Sequence, residues 1–483
     1  MRLGDIYFIA KDEWRYWFRS RLSLSAIIAA SLLLVASLIN TTHQVQTESA
    51  TREGFQQEAV KTFESQPARH PHRMIHYGHY IFRTPTPLSV IDLGVDASAG
   101  TVMFLEGHRQ NSTVFPPNYS NAYAGQLADL SPAFAYQMLV PLLLIILGYA
   151  SISRERELGT EIVLYSIAVT PMRLWLGKTL ALGASAVITL TPLVVGLSFA
   201  VSEGEPVWTA AYMFLGYATY LLTWVFIITA TSAVCQRSAS AFTTLLGIWI
   251  VLCVISAPLA SSIAETGKSY EGKVASDIAV QQALRGTGDG HNEADIAFNQ
   301  LRAELLRQYE VKSVESLPFN IRGIISLNAE ETQTKILNRF SDQRMEQAKA
   351  QTQVIYWLGL LSPTLALKNF SVNIAGTSLS EYQRFQRQAE RVRFDFVQKL
   401  NTMHAEQLTY DDDIKRSIDP LSEQRTRIDS HHWKILYATS HHENFEVARI
   451  SESFPHFLAL IFWCFFAAIM AANVAKKGDK NVA

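Results

Sequence analysis

Long apolar runs alternate with long polar tracts along this chain, and the alternation predicts a membrane protein with much of its mass outside the bilayer. A helix needs about 20 apolar residues to cross ~30 Å of hydrocarbon. Runs that meet this requirement fall at residues 22–39, 133–152, 173–200, 206–230, 240–261 and 454–473. Two polar tracts, 41–132 and 262–452, separate them and hold more than half of the 483 residues. In the first tract, apolar and polar positions alternate around 74–82 and 101–105, among Pro85, Pro87, Pro116 and Pro117, which predicts a mixed α/β or β-rich external domain. The second has helical apolar spacing over 295–309 and 330–352. There Ser378-Leu379-Ser380-Glu381 forms a capping box that opens a long helix through Phe396, so a mainly helical external domain built of hairpins is expected. Residues 354–367 are apolar but short and broken by Ser362-Pro363, the pattern of a packed or interfacial helix rather than a seventh span. The expected fold class is thus an α-helical integral membrane protein of six transmembrane helices carrying these two external domains.

Charge gives the spans a direction. Arg2, Lys11, Arg15, Arg19 and Arg21 precede the first span, Arg154, Arg156 and Arg173 follow the second, Arg237 follows the fourth, and Lys476, Lys477 and Lys480 end the chain. With six spans these all fall on one side, which the positive-inside rule assigns to the cytoplasm together with both termini. The turn Ser202-Glu203-Gly204-Glu205-Pro206 carries neither Lys nor Arg, as an external loop should. Ser131-Pro132 and Thr170-Pro171 have the N-cap and first-turn chemistry of helix starts. Residues 1–21 interleave Ile6, Ile9, Trp14, Trp17 and Phe18 with Lys11, Arg15 and Arg19, which suits a helix lying in the membrane interface. The alternative is that this segment merely extends the first span. That span ends in Asn40-Thr41-Thr42-His43 without a small-residue cleavage signature, so it is expected to stay as an anchor.

Composition excludes several functions. A net charge of −1 leaves no basic surplus for a nucleic-acid partner. The three cysteines, Cys235, Cys253 and Cys464, lie in or beside apolar runs, so no disulfide framework is expected in the polar tracts. Gly267-Lys268-Ser269 imitates the end of a phosphate-binding loop, but Ser262 stands where its first glycine is required. If the protein does ATP-driven work, the ATPase is therefore another chain. His72, His76 and His79 would share one face of a helix, a possible metal arrangement. Pro71, Gly78 and the run of Ile75, Tyr77, Tyr80, Ile81 and Phe82 instead favour extended structure, in which His79 points away from the other two; no metal is expected there, nor at His431, His432, His441 and His442. Asp411, Asp412 and Asp413 read as a solvated helix end. No catalytic spacing is present, and the expectation is a protein that is not itself an enzyme.

The remaining feature is Ser153-Arg154-Glu155-Arg156-Glu157-Leu158-Gly159-Thr160, a charged run between the second and third spans. Four alternating charges must surface from hydrocarbon. On physics alone the run is either a solvated turn beside an interfacial helix or a docking element with an apolar face of Ile162, Val163, Leu164, Tyr165 and Ile167. Together with Leu164, Pro171, Arg173, Gly177 and Lys178, it resembles the cytoplasmic coupling segment of ABC transporter permeases of the ABC-2 class, and residues 11–21 are similar to that class's elbow helix. The enlarged external tracts, with His108-Arg109-Gln110-Asn111, Ser362-Pro363 and Ala375-Gly376-Thr377, resemble the NosY-like, multi-copper-enzyme-maturation branch of these permeases.

The resemblance implies a permease subunit of an ATP-driven transporter in the bacterial cytoplasmic (inner) membrane, with export or extrusion as the expected direction. Its partners would be cytoplasmic ABC ATPase subunits, a second permease chain (identical or homologous), membrane lipid and periplasmic proteins. ATP and Mg would sit on the ATPase, with no cofactor in this chain. Arg154, Glu155, Arg156, Glu157, Gly159, Thr160, Leu164, Pro171 and Arg173, within a coupling loop at 153–172, would carry the ATPase contact, the two arginines pairing with acids of the partner. The alternative is a non-transporting scaffold that moves its external domains on a partner.

Overall fold

The computed structural model describes residues 3–111, 130–267, 272–288, 290–292, 294–434 and 446–482. Lys268 and Ser269 of the phosphate-loop imitation, Pro116, Pro117, His441 and His442 lie outside them. Among the described residues, six helices are long and apolar enough to cross a membrane: Arg21–Glu64, Pro132–Glu157, Pro171–Ser202, Val207–Val234, Ser238–Gly267 and Glu446–Lys477.

Helix α1 (Leu3–Arg19) is separate from α2 (Arg21–Glu64) because Ser20 adopts an extended conformation and its side chain caps the Ser23 amide. The elbow is thus a helix of its own, not a downward extension of the first span. Its two tryptophans fix it. Trp17 Nε1 donates to Leu147 O at 2.8 Å and Trp14 Nε1 to Ala181 O at 3.1 Å, so buried indole donors are satisfied by carbonyls of two different spans. The α2 helix then runs 44 residues without a break. After the apolar stretch it continues through a polar segment and ends before Pro67.

That continuation overturns the expected mixed α/β or β-rich external domain. Among its described residues, the first tract is a helical stalk, a short helix α3 (Pro71–Ile75) and only two strands, β1 (His79–Phe82) and β2 (Val102–Leu105), paired antiparallel with His79 opposite Leu105. The alternation read at 74–82 and 101–105 holds for the ladder at 79–82 and 102–105, while Met74 and Ile75 are helical. Two four-residue strands cannot bury a face alone, so Met103 and Leu105 pack with Met74 and Ile75 against Val392, Phe396 and Leu400 of the second tract.

The spans continue as α4 (Val140–Gly148), α5 (Ser153–Glu157), α6 (Thr160–Ser166), α7 (Pro171–Thr189), α8 (Thr191–Ser202), α9 (Val207–Val234), α10 (Ser238–Trp249) and α11 (Ser256–Gly267). Ser131 and Thr170 cap their helices as the Ser-Pro and Thr-Pro pairs predict, accepting from the Phe134 and Arg173 amides. The second tract is helical, with α12 (Ile321–Leu358), α13 (Pro363–Ile374) and α14 (Leu379–Gln407). Ser378 caps the Glu381 amide, but α14 runs to Gln407, past the expected end at Phe396. The apolar segment 354–367 breaks at Ser362-Pro363, its first part ending α12 and its last part opening α13. Helix α13 is a packed helix, buried over nearly its whole length, with Tyr217 Oη 2.7 Å from Ser371 Oγ and Tyr220 Oη 3.1 Å from Thr364 Oγ1. The last helix, α15 (Glu446–Val482), completes the bundle.

Polar contacts tie the two tracts to each other and to the turn between the third and fourth spans. Asp92 accepts from Ser371 Oγ at 2.5 Å, and Arg83 forks onto Asp96 at 3.0 Å while donating to Gly376 O at 2.9 Å. Glu205, in the turn between the third and fourth spans, pairs with Arg449 of α15.

Candidate coupling site

The charged run folds into two short helices at one end of the bundle, α5 and α6, joined at Leu158 and Gly159. Gly159 has φ +72° and a Cβ there would meet nothing, so glycine is required by the left-handed backbone and not by space. Ile152 and Ser153 anchor the start, their amides donating to Ser232 Oγ at 3.0 and 3.2 Å.

Glu13 organises the charges. It is 0% exposed, and its Oε2 accepts from Lys178 Nζ at 2.6 Å and Arg154 Nη2 at 2.8 Å. Lys178 also donates to Glu155 at 2.8 Å, and Thr160 Oγ1 donates to the other oxygen of Glu155 at 2.6 Å. The Arg154 guanidinium lies 3.7 Å from the Tyr16 ring centroid, a cation–π contact. Close approach of α1 makes this possible. A Cβ on Gly177, one residue before Lys178, would sit 2.6 Å from Ile9 Cβ.

The other residues of the run are engaged as well. Arg156 forks onto Glu161 at 3.1 and 3.3 Å and donates to the Ala233 and Cys235 carbonyls at 3.0 Å. Glu157 accepts from the Ser238 amide at 3.1 Å, while Arg173 donates to Asp5 at 3.3 Å and to Ala168 O at 3.0 Å. Pro171 takes the first-turn position of α7. Arg154 and Arg156, read from sequence as facing a partner's acids, are thus ion-paired within the chain. Leu164 turns inward against Ile152, Leu174 and Trp175, and Tyr165 donates to Glu161 at 2.6 Å. Four apolar side chains face outward beside the exposed Glu157, Thr160 and Ser166: Leu158, Ile162, Val163 and Ile167 are 68, 74, 60 and 67% exposed. Charge therefore sets the element's position, and its outer surface carries a small hydrophobic patch.

Glu13 was missed in the sequence, although a signal exists. At helical spacing it falls on the face of Ile6, Ile9, Ala10 and Trp17, and an acid on an apolar face needs a buried partner.

The histidines lie in the external tracts. Residues 71–75 are helical, not extended, because His70 and Pro71 form a helix start, with His70 Nδ1 capping the His72 amide. His72 and His76 therefore lie one turn apart with Nε2 atoms at 3.4 Å, and His108 and His291 join them. His79 is on β1, against Phe63, and not in this group. Burial, with the neighbouring imidazoles, lowers the His72 pKa to about 2. Nearby, Asp413 is buried and accepts from His404 at 2.8 Å and Asn320 at 3.1 Å, with His70 at 3.2 Å. It is not the solvated helix end expected of the run at 411–413. Asp411 is exposed, and Asp412 pairs with Arg425 at 2.5 Å.

Six membrane-length helices and an ion-paired loop between the second and third define a multi-pass membrane protein with a braced loop at one end. The chain belongs to the ABC-2 family of transporter proteins: the model described as ABC-2 family transporter protein matches residues 7–288, more than half its length. This is the family of ABC transporter permease subunits, which are generally non-catalytic and usually work with ATPase subunits. A second model, a domain of unknown function designated DUF3526, matches residues 273–438. No curated protein matches the chain.

Proposed function

We propose that the chain is the transmembrane subunit of an ATP-driven exporter in a bacterial inner membrane, coupled to a separate cytoplasmic ATPase through residues 153–170. The observation that carries this reading is the outward patch of Leu158, Ile162, Val163 and Ile167 on an element braced from behind by Glu13, Lys178, Arg154 and Glu155. An apolar patch on a rigid mount can enter a groove on a partner and pass displacement to the spans behind it. The brace reaches α1 and α7 together, so a push on α6 moves the elbow and the third span as one body. The basic residues at this end support a cytoplasmic placement with both termini inside. ATP and Mg belong to the ATPase, and a second permease chain completes the pathway.

A scaffold reading has one observation in its favour. Helix α2 runs unbroken from the first span to Glu64, so tilting that span swings the external tract without any substrate crossing. In the transport reading the same lever acts on an external gate.

The test is Ile162→Glu/Val163→Glu in the full chain co-expressed with its ATPase. Exposed changes of this kind shift stability by about 0.5 kcal/mol or less. The expected result is a normally folded permease that no longer copurifies with the ATPase or alters its turnover. Unchanged copurification and turnover would overturn the assignment.

A further inference from the structure

Four imidazoles from three separate segments converge in the external region: His72 and His76 from α3 and its C-cap, His108 from the turn after β2, and His291 from the loop ahead of α12. One nitrogen from each lies within 4.8 Å of all the others. His76 Nε2 is 3.4 Å from His72 Nε2 and 3.3 Å from His291 Nε2. Zinc–imidazole bonds are about 2.0–2.1 Å, so ligand nitrogens on a tetrahedron stand about 3.3–3.4 Å apart. These two separations match that edge, and the remaining pairs lie within 4.8 Å.

Hydrogen bonding accounts for the cluster less well. A neutral imidazole carries one N–H, so a proton on His76 Nε2 can serve only one of the two ring nitrogens facing it. Both ring nitrogens of His108 are buried without a well-aligned hydrogen bond. A cation accepts lone pairs from all four rings at once.

The surroundings favour the same occupant. His108 Nδ1 lies 3.1 Å from Glu330 Oε2, whose partner oxygen is held by Arg393 at 2.6 Å. On ligation through Nε2, that carboxylate would be placed to take the Nδ1 proton. The His108 backbone is held at φ +61°, uncommon for a residue other than glycine, and its amide donates to Glu330 at 3.2 Å. The loop bearing His291 is tied to α12, with Ser326 Oγ donating to Gly290 O at 3.2 Å and Gln333 Nε2 to Gly288 O at 2.7 Å. His76 and His291 are exposed, which gives an ion a way in. The neighbouring His70, His404 and Asp413 group differs, since Arg322 and Arg416 at 3.5 and 3.4 Å already supply positive charge to its carboxylate.

We propose that His72, His76, His108 and His291 form a tetrahedral site for one divalent transition-metal ion of the zinc(II) type. Four protein ligands leave no open position, which is the pattern of a structural site and not a catalytic one. The ion clamps the first external tract to the second, joining the segment that follows the first span to the one that follows the fifth.

The test uses the purified full chain, stripped with a chelator, reloaded with zinc chloride and passed through gel filtration before elemental analysis. About one zinc per chain is expected for the unaltered protein and for a His431→Ala/His432→Ala control. In His76→Ala/His291→Ala, zinc binding should weaken by at least about tenfold. These two ligands are exposed, so their loss leaves the packed residues in place. Cobalt(II) loaded into the unaltered protein should show the visible bands of tetrahedral coordination, a readout that needs no variant. Unaltered protein that retains no zinc, zinc retained equally by His76→Ala/His291→Ala, or an octahedral cobalt spectrum would overturn the proposal.

Discussion

Replacing Glu13 by Gln should release the brace behind α6, and the structure sets the scale of the effect. Removing one member of a buried ion pair typically costs about 3–5 kcal/mol, because the other charge is left unpaired. Here Glu13 has two cationic partners, but neither is wholly abandoned. Lys178 keeps Glu155 at 2.8 Å, and Arg154 keeps the Tyr16 ring and some solvent. The lower end, about 3 kcal/mol, is therefore expected. Replacing Lys178 by Met in the same chain should recover part of the loss, because the buried ammonium is removed with its counter-ion. A double-mutant cycle on reversible unfolding in mixed micelles should give a Glu13–Lys178 coupling of about 2 kcal/mol. ATPase copurification should fall in Glu13→Gln and return in part in the double variant. Unfolding within about 0.5 kcal/mol of the parent, or effects that simply add, would refute the brace.

Three further outcomes are expected. Gly159→Val forces a β-branched residue into φ +72° and should cost about 1–3 kcal/mol, read as faster hydrogen exchange in residues 153–166 with the external tracts unchanged. Arg393→Met leaves Glu330 and Glu390 buried without their shared guanidinium and should destabilise the α12–α14 pairing by about 3–5 kcal/mol, seen as accelerated exchange along both helices. Burial lowers His79 to about 4 from 6.5, so the unfolded chain takes up its proton first on acidification. Stability from His79 is complete above pH 6.5 and is lost down to about pH 4, by up to about 3 kcal/mol; His79→Gln should remove that component from the pH profile of external-tract unfolding.

The apolar runs announced their spans because hydrocarbon thickness dictates length and composition. The charged run at 153–160 was equally plain, since a bilayer leaves such residues few places to go. Local signals worked where the physics is local: Ser131, Thr170 and Ser378 all cap the helices they precede. The β-rich expectation failed because alternation at 74–82 and 101–105 marks where strands can form, which they do only at 79–82 and 102–105, but not how many neighbours they find. Nothing short-range says that α2 continues past the membrane to Glu64 either. Pairing was the least legible part. Glu13 meets Lys178 across 165 positions, and His76 meets His291 across 215. Such contacts depend on the assembled helices, although Glu13 on an apolar helix face and His72 one turn before His76 were half of each answer.

ATPase docking on the outward face of α6 is the contact on which the proposed function rests. A photo-cross-linking residue placed at Ile162, in the full chain co-expressed with its ATPase in native membranes, tests it directly, with Tyr80 on β1 as the control site. An adduct at position 162 whose mass spectrum identifies the ATPase chain is expected, and none from position 80. An ATPase adduct from position 80, or none from position 162 while the two proteins still copurify, would contradict it.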